Sequence, residues 1–226
     1  MTMNLTLFDL DGTLLPTDSD HAFGEFIVSI GWADGERFRA RNDEFFRDYQ
    51  AGVLDIDAYV DFATAAWRDR PAVEIEAVRA RFMREQMQPA LRDSARALVR
   101  EHQQAGDLVA IVTATNDFVT RPIADAFGVP ELIATRLERD VSGRATGAID
   151  GTPSFREGKI TRVHEWLAAR GQAWPQFDCV TVYSDSTNDL PLLELASHPV
   201  ATNPSPALEA LARERGWRIL TLFETP

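Results

Sequence analysis

Three short runs of apolar residues stand out along the chain, at positions 4–9, 108–113 and 179–184. They are rich in β-branched side chains and nearly continuously apolar, which is typical of strands that are covered on both faces of a parallel sheet. Helical periodicity separates the later runs, at Asp93–Gln104, Asp117–Phe127, Glu157–Ala169 and Asn188–Ala196. This alternation predicts right-handed crossovers and a doubly wound α/β fold with a parallel sheet.

A long segment lies between the first and second runs. It has about ninety residues, far more than the dozen or so that a simple crossover needs. From Asp20 to about Gln88 its pattern is helical, and apolar stripes run along it at Phe38, Phe45, Phe46, Tyr49 and at Tyr59, Phe62, Ala66, Trp67. Such stripes usually indicate packing. We therefore predict a helical insertion with its own small core over residues 16–89, within a core domain of residues 1–15 and 90–226. Turn residues at 141–151 predict a small hairpin.

Composition and charge narrow the class of protein. The 226-residue chain has a formal net charge of −12, which disfavours nucleic acid as a partner because the phosphates would be repelled. No run reaches the length of a membrane helix, and the first residues lack the basic character of a signal peptide. The single cysteine, Cys179, cannot form an internal disulfide, as expected for a reducing compartment. We expect a cytoplasmic protein that is a monomer or a small homo-oligomer, without a membrane or nucleic-acid partner.

The first apolar run ends in two acids, Asp9 and Asp11, followed by Gly12. Two carboxylates close together repel unless a cation or a network of donors holds both ionised. The pair therefore predicts a metal ion at the end of the first strand. Taken alone, the segment is equally compatible with an ordinary turn at Asp11-Gly12 and a solvated strand end at Asp9.

Polar residues also follow the other two strands. The second run ends in Thr113-Ala114-Thr115, and the third in Ser184-Asp185-Ser186-Thr187-Asn188-Asp189, while Lys159 begins a helical pattern between them. Singly, each has an ordinary explanation: a surface lysine, a β-forming threonine, or acids in a first helical turn. Together they favour one site, since ligands of doubly wound sheets lie beyond the carboxyl ends of the strands.

These residue types suit phosphoryl transfer. The Asp9 carboxylate can attack phosphorus to form an aspartyl-phosphate, and Asp11 can act as general acid and then general base. Mg²⁺ prefers the oxygen ligands that Asp9 and Asp185 offer, and Asp189 could hold metal-bound water or orient Lys159. The Lys159 ammonium would neutralise charge on the phosphoryl oxygens, to which Thr113 would donate a hydrogen bond.

These motifs, in this order, resemble those of the haloacid dehalogenase (HAD) superfamily, and most of all its phosphoserine phosphatase-like branch, which includes phosphoserine phosphatases and some histidinol-phosphate phosphatases. The resemblance implies a Rossmann-like core with a helical cap after the first strand, Asp9 as nucleophile and Asp11 as general acid/base. It implies that Thr113, Ala114, Lys159 and Asn188 bind phosphate or substrate. The Mg²⁺ ligands would be the Asp9 and Asp185 side chains and the Asp11 backbone carbonyl.

Substrate choice is less constrained. Asp18 lies where relatives carry an acid that can meet the amino group of a phosphorylated amino acid or amino alcohol, although a helix-capping role is equally expected. Arg41 and Arg47 could face an anionic group, but a solvated position on a charged helix is the simpler interpretation. Phosphoserine phosphatases favour Ser-Gly-Gly at the second motif, so Thr113-Ala114-Thr115 disfavours phosphoserine itself.

We therefore predict a Mg²⁺-dependent phosphatase acting on a small phosphorylated metabolite such as histidinol phosphate or phosphoserine. Two alternatives remain: another HAD-type hydrolase, a dehalogenase or phosphonatase, or a phosphate-binding module without turnover. Asp11 weighs against a dehalogenase, because a halide leaves without protonation. The four histidines lack metal-ligand spacing, and we assign them no catalytic part.

Overall fold

The computed structural model describes residues 3–223 and contains one six-stranded sheet and one two-stranded sheet. The strands are β1 Asn4–Phe8, β2 Leu108–Asn116, β3 Glu131–Thr135, β4 Leu137–Arg139, β5 Ala145–Ile149, β6 Cys179–Ser184, β7 His198–Thr202 and β8 Arg218–Leu220. The large sheet has the order β3-β2-β1-β6-β7-β8, and every pair in it is parallel. The predicted doubly wound α/β fold is confirmed.

Helices connect the strands and form the insertion. They are α1 Ser19–Ser29, α2 Gly35–Gln50, α3 Ile56–Ala65, α4 Ala72–Phe82, α5 Gln88–Ala90, α6 Asp93–Ala105, α7 Asp117–Ala126, α8 Glu157–Ala169, α9 Leu190–Leu195 and α10 Pro206–Arg215, with a π-helical turn at Met83–Met87. The predicted helix from Asn188 starts later, because Thr187–Asp189 form a 3-10 turn and Pro191 sits in the first turn of α9. No helix within residues 3–223 has the length and apolar character needed to cross a membrane.

Each face of the sheet is buried under helices. Leu5, Leu7 and Val182 pack on one side with residues of α8, α9 and α10, whereas Phe8 and Ile111 pack on the other with residues of α6 and α7. Apolar residues of the insertion join this second cluster, where the Trp67 ring stacks on Phe118 of α7 at 4.4 Å between centroids. The expectation of a separate small core in the insertion is therefore wrong, since the cluster runs without interruption into the sheet.

The predicted aromatic stripes pair within the insertion. The Phe38 ring stacks on Phe62 at 4.4 Å, and Phe45 lies 5.2 Å from Tyr59, which joins α2 to α3. Four residues of the stripes also line a cavity next to the first-strand acids: Phe45, Phe46, Tyr49 and Tyr59. The predicted hairpin is confirmed as the antiparallel pair β4–β5. The boundaries proposed for the two domains stay a prediction.

Candidate active site

The strand register brings three of the predicted residues to one edge of the sheet. Phe8 of β1 pairs with Ile111 of β2 and with Tyr183 of β6. The strands are parallel, so the residues that follow them emerge on the same side. Asp9 and Asp185 directly follow β1 and β6, and Thr113 lies within the last four residues of β2, so all three are at the carboxyl edge of the sheet, as predicted.

Lys159 connects two of the acids at this edge. Its ammonium lies 2.7 Å from Asp9 Oδ1 and 2.7 Å from the carboxylate of Asp189, and its side chain is 1% exposed. Burial alone would lower its pKa, but the two carboxylates outweigh that effect and raise the pKa of Lys159 above its ordinary value. The lysine is therefore a permanently charged group within the site.

Asp9 and Asp185 share a single donor. The hydroxyl of Thr13 lies 3.2 Å from Asp9 Oδ2 and 3.2 Å from Asp185 Oδ1. The approach depends on Gly12, which has φ +78° and on which a Cβ atom would stand 2.3 Å from Asp185 Oδ2. Burial raises the pKa of Asp185 well above its ordinary value, and the charges of Asp9 and Asp189 raise it further. If all three carboxylates were ionised, the cluster would carry more negative charge than Lys159 neutralises.

A hard divalent cation fits this cluster. The donors of Asp9 and Asp185 are all oxygens, and their carboxylates are close enough to share one hydroxyl group. Mg²⁺ commonly binds one or two carboxylates and keeps several waters. Among residues 3–223, no group of three or more His, Cys, Asp or Glu side chains is arranged to hold a metal ion. The predicted ligand set needs only two side chains and one backbone carbonyl.

Asp189 is held by two groups. It accepts a hydrogen bond from Ser184 Oγ at 2.8 Å and contacts Lys159, and all three side chains are buried. This geometry matches the second of its two predicted roles, the orientation of Lys159. Ser184 therefore helps to hold Asp189 beside Lys159.

Asp11 is oriented separately from Asp9. The backbone N–H of Ser19 donates to its Oδ1 at 2.7 Å, and the Thr115 hydroxyl donates to its Oδ2 at 2.9 Å. Burial raises the pKa of Asp11 well above its ordinary value, and the nearby Asp18 charge adds to the increase. A raised pKa favours the protonated form of a carboxyl group, which a general acid requires.

A cavity opens between these carboxyl groups and the insertion. Its lining combines acids with aromatic rings: Asp9, Asp11, Asp18, Asp20, Phe45, Phe46, Tyr49 and Tyr59, together with Thr113, Ala114 and Thr115. None of the residues lining it is lysine or arginine. Burial and the Asp18 charge raise the pKa of Asp20 to about 7, against the opposing hydrogen bonds from Tyr59 and Asn116. A positively charged ligand group would be favoured here.

The remaining predicted residues take different positions. Asp18 caps α1 by accepting from His21 N–H at 2.8 Å and also lines the cavity, so both of its proposed roles remain compatible with the structure. The Asn188 amide donates to the backbone carbonyl of Tyr49 at 2.9 Å, which connects it to the insertion. Arg41 pairs with Glu44 on the exposed face of α2. Arg47 is also exposed, and neither arginine lines the cavity.

Sequence reasoning gave no role to several residues that build the site. The sequence pattern does not distinguish Thr13, although its hydroxyl contacts both Asp9 and Asp185. Asp20 received no assignment, and its buried contact with Asn116 Nδ2 at 3.2 Å joins residues far apart in sequence. The only available signal for it was an additional acid close to Asp18.

Comparisons with known proteins agree with this geometry. The family model for haloacid dehalogenase-like hydrolases matches residues 6–194. The chain is 45% identical over 217 residues to a histidinol-phosphatase of Neisseria meningitidis, covering 96% of this chain and 98% of that protein. A crystal structure of a protein of unknown function from Bordetella pertussis is 48% identical, with a TM-score of 0.93, and covers 99% of this chain and 100% of that one.

A substrate-bound phosphoserine phosphatase shares the fold at lower identity. Its TM-score is 0.68 at 17% identity, and the alignment covers 97% of this chain and 93% of that one. The resemblance inferred from the motifs is confirmed. The chain belongs to the haloacid dehalogenase-like hydrolase family, as a phosphoric monoester hydrolase.

Proposed function

We propose that this enzyme is a Mg²⁺-dependent phosphatase that acts through an aspartyl-phosphate on a small phosphate monoester whose alcohol carries positive charge. The observation that carries the proposal is the contact of Lys159 with both Asp9 and Asp189 at 2.7 Å, below a cavity lined by acids and aromatic rings. The buried ammonium places fixed positive charge beside the carboxylate that would attack phosphorus.

The reaction proceeds in two displacements. A carboxylate oxygen of Asp9 forms a bond to phosphorus while the ester P–O bond breaks, and Asp11 gives its proton to the departing alcohol oxygen. Asp11, now a carboxylate, takes a proton from the water that attacks the phosphorus. The bond between the Asp9 oxygen and phosphorus breaks. Inorganic phosphate is released, and the free Asp9 carboxylate is regenerated.

Positive charge and hydrogen bonds would hold the phosphoryl group. The Lys159 ammonium and the Thr113 hydroxyl would contact this group, and Thr113 and Ala114 line the cavity. Mg²⁺, held by the Asp9 and Asp185 carboxylates and the Asp11 carbonyl, would neutralise charge that develops on the phosphoryl oxygens. The proposal includes a cytoplasmic location and a monomer or small homo-oligomer without a nucleic-acid or membrane partner.

The cavity favours an amino-alcohol phosphate over an amino-acid phosphate. Asp18 and Asp20 offer negative charge to an ammonium group. The lining contains no lysine or arginine for a carboxylate, and its histidine, His21, is already paired with Asp43 at 2.9 Å. An unpaired carboxylate buried there would cost several kcal/mol. Histidinol phosphate, the substrate class in the name of the 45% identical relative, has an ammonium group and no carboxylate, whereas phosphoserine has both.

The nucleophile is tested by Asp9→Asn, assayed with magnesium against para-nitrophenyl phosphate. We expect a loss of roughly 10⁴-fold or more in kcat, because an amide cannot form the acyl-phosphate. Near-normal turnover by this variant would rule out the covalent mechanism. Chloride release from a haloacid would favour a dehalogenase, and a stable complex with unhydrolysed phosphate ester would favour a binding module.

Substrate charge is tested by comparing kcat/KM for histidinol phosphate, phosphoserine and glycerol phosphate. We expect the highest kcat/KM for histidinol phosphate. The Asp18→Asn substitution should lower kcat/KM for histidinol phosphate by about tenfold and change kcat/KM for glycerol phosphate little. Asparagine is also a good N-cap, so this variant removes the charge and keeps the end of α1. Asp57→Asn, on an exposed part of α3, is the matched control. Equal effects of Asp18→Asn on both substrates would contradict the proposed charge recognition.

A further inference from the structure

Thr115 is placed to control the orientation of Asp11. It lies near the end of β2, two residues beyond Thr113, and is 7% exposed. Its hydroxyl donates to Asp11 Oδ2 at 2.9 Å, while its own backbone N–H donates to Thr113 Oγ1 at 3.2 Å. The side chain therefore joins the second motif directly to the proposed acid of the first.

The two partners of Asp11 differ in chemistry. The backbone N–H of Ser19, 2.7 Å from Oδ1, can only donate a hydrogen bond. A hydroxyl group can rotate and can either donate or accept. When Asp11 is a carboxylate, both oxygens accept; when it is protonated, the proton belongs on Oδ2, because Oδ1 faces an obligate donor. The Ser19 N–H can donate to Oδ1 in both states, whereas the partner of Oδ2 must donate in one state and accept in the other, as a hydroxyl group can.

From this geometry we propose that Thr115 is a positioning residue for proton transfer by Asp11. Its hydroxyl fixes the Asp11 side chain and reverses its hydrogen bond as the Oδ2–H bond breaks and a new O–H bond forms on the leaving alcohol. The inference rests on the proposed phosphatase mechanism. It assigns a function to the last of the three positions at which Thr113-Ala114-Thr115 differs from Ser-Gly-Gly.

The prediction depends on the leaving group. Para-nitrophenolate departs without protonation, whereas the alcohol of an alkyl phosphate needs a proton from Asp11. Thr115→Val keeps the shape of the side chain and removes its hydroxyl group, and Thr115→Ser keeps the hydroxyl. We expect Thr115→Val to slow the release of an alkyl alcohol by about 10- to 100-fold and that of para-nitrophenol by less than about threefold, with Thr115→Ser close to wild type on both.

The measurement is leaving-group release in a single turnover, with enzyme in excess over para-nitrophenyl phosphate or histidinol phosphate in the presence of magnesium. The ratio of the two rates on one preparation does not depend on the folded fraction, so partial misfolding of Thr115→Val leaves it unchanged. Thr115→Ala provides a second variant without the hydroxyl. Equal losses on both substrates, or no loss on either, would overturn the inference while leaving the phosphatase function intact. Wild-type protein that hydrolyses neither ester would instead overturn the proposed function, and the inference with it.

Discussion

Gly12 shows how one residue without a side chain permits the site. It has φ +78°, and an added Cβ atom would stand 2.3 Å from Asp185 Oδ2. Gly31, after α1, has nearly the same dihedral, φ +77°, but no heavy atom lies within 4 Å of its added Cβ. The two positions therefore share the backbone strain of an added side chain and differ in the clash with Asp185.

We expect Gly12→Ala and Gly31→Ala each to lose about 1–2 kcal/mol of unfolding free energy from the left-handed backbone. Only Gly12→Ala should also lose activity, by about 100-fold, because Asp185 must move away from the position it shares with Asp9. Chemical denaturation and steady-state kinetics measure the two effects. Full activity in Gly12→Ala would show that the close approach of Asp185 is dispensable.

Some individual residues could be predicted from the sequence and others could not. Asp9, Thr113 and Asp185 follow apolar strands, so local pattern and parallel topology are enough to bring them together. The contact from Thr115 to Asp11 spans 104 positions and depends on the path of the first loop, which no periodicity encodes.

Some strands could be predicted from the sequence and others could not. The buried strands β1, β2 and β6 were predicted from their continuous apolar runs. The strands β3, β7 and β8 were not predicted, because β3 begins with the charged Glu131, β7 contains Pro199, and β8 has only three residues. Tertiary pairing, rather than local pattern, makes such segments strands.

The last turn of α2 and the loop after it are hydrogen-bonded, through two backbone carbonyls, to segments near the acid cluster. The Asn188 amide donates to Tyr49 O at 2.9 Å, and Arg156 Nη1 donates to Gly52 O at 2.8 Å. Both donors belong to segments that carry site residues, since Asn188 immediately precedes Asp189 and Arg156 precedes the helix of Lys159. These bonds connect the insertion to the catalytic edge of the sheet.

Removing one of these bonds should loosen the loop locally. We expect Arg156→Ala to speed amide hydrogen exchange at residues 51–53 by about two- to tenfold, because a hydrogen bond of this kind contributes roughly 0.5–1.5 kcal/mol. Exchange in β1 and β2 should be unchanged. Arg37→Ala, on the exposed face of α2, is the control, and equal acceleration in both variants would contradict the proposed fastening.

The acid cluster affects the stability of the whole molecule. Burial, together with the Asp9 and Asp189 charges, holds the pKa of Asp185 above its ordinary value of 3.8. The folded state therefore binds more protons than the unfolded chain, so this contribution is present at low pH and is lost as the pH rises through the raised pKa. A bound divalent cation would offset the repulsion in the ionised cluster, which couples metal binding to folding.

We expect magnesium at 100 times its dissociation constant to stabilise the wild-type protein by about 2.7 kcal/mol, a shift of several degrees in Tm for a chain of this length. In Asp185→Asn, Tm in EDTA should be higher than in wild type, because a repelling charge is removed, and the response to magnesium should vanish. Asp57→Asn should keep the wild-type response. Thermal unfolding with and without magnesium gives Tm for the wild-type protein and both variants. A full magnesium response in Asp185→Asn would place the ion elsewhere in the molecule.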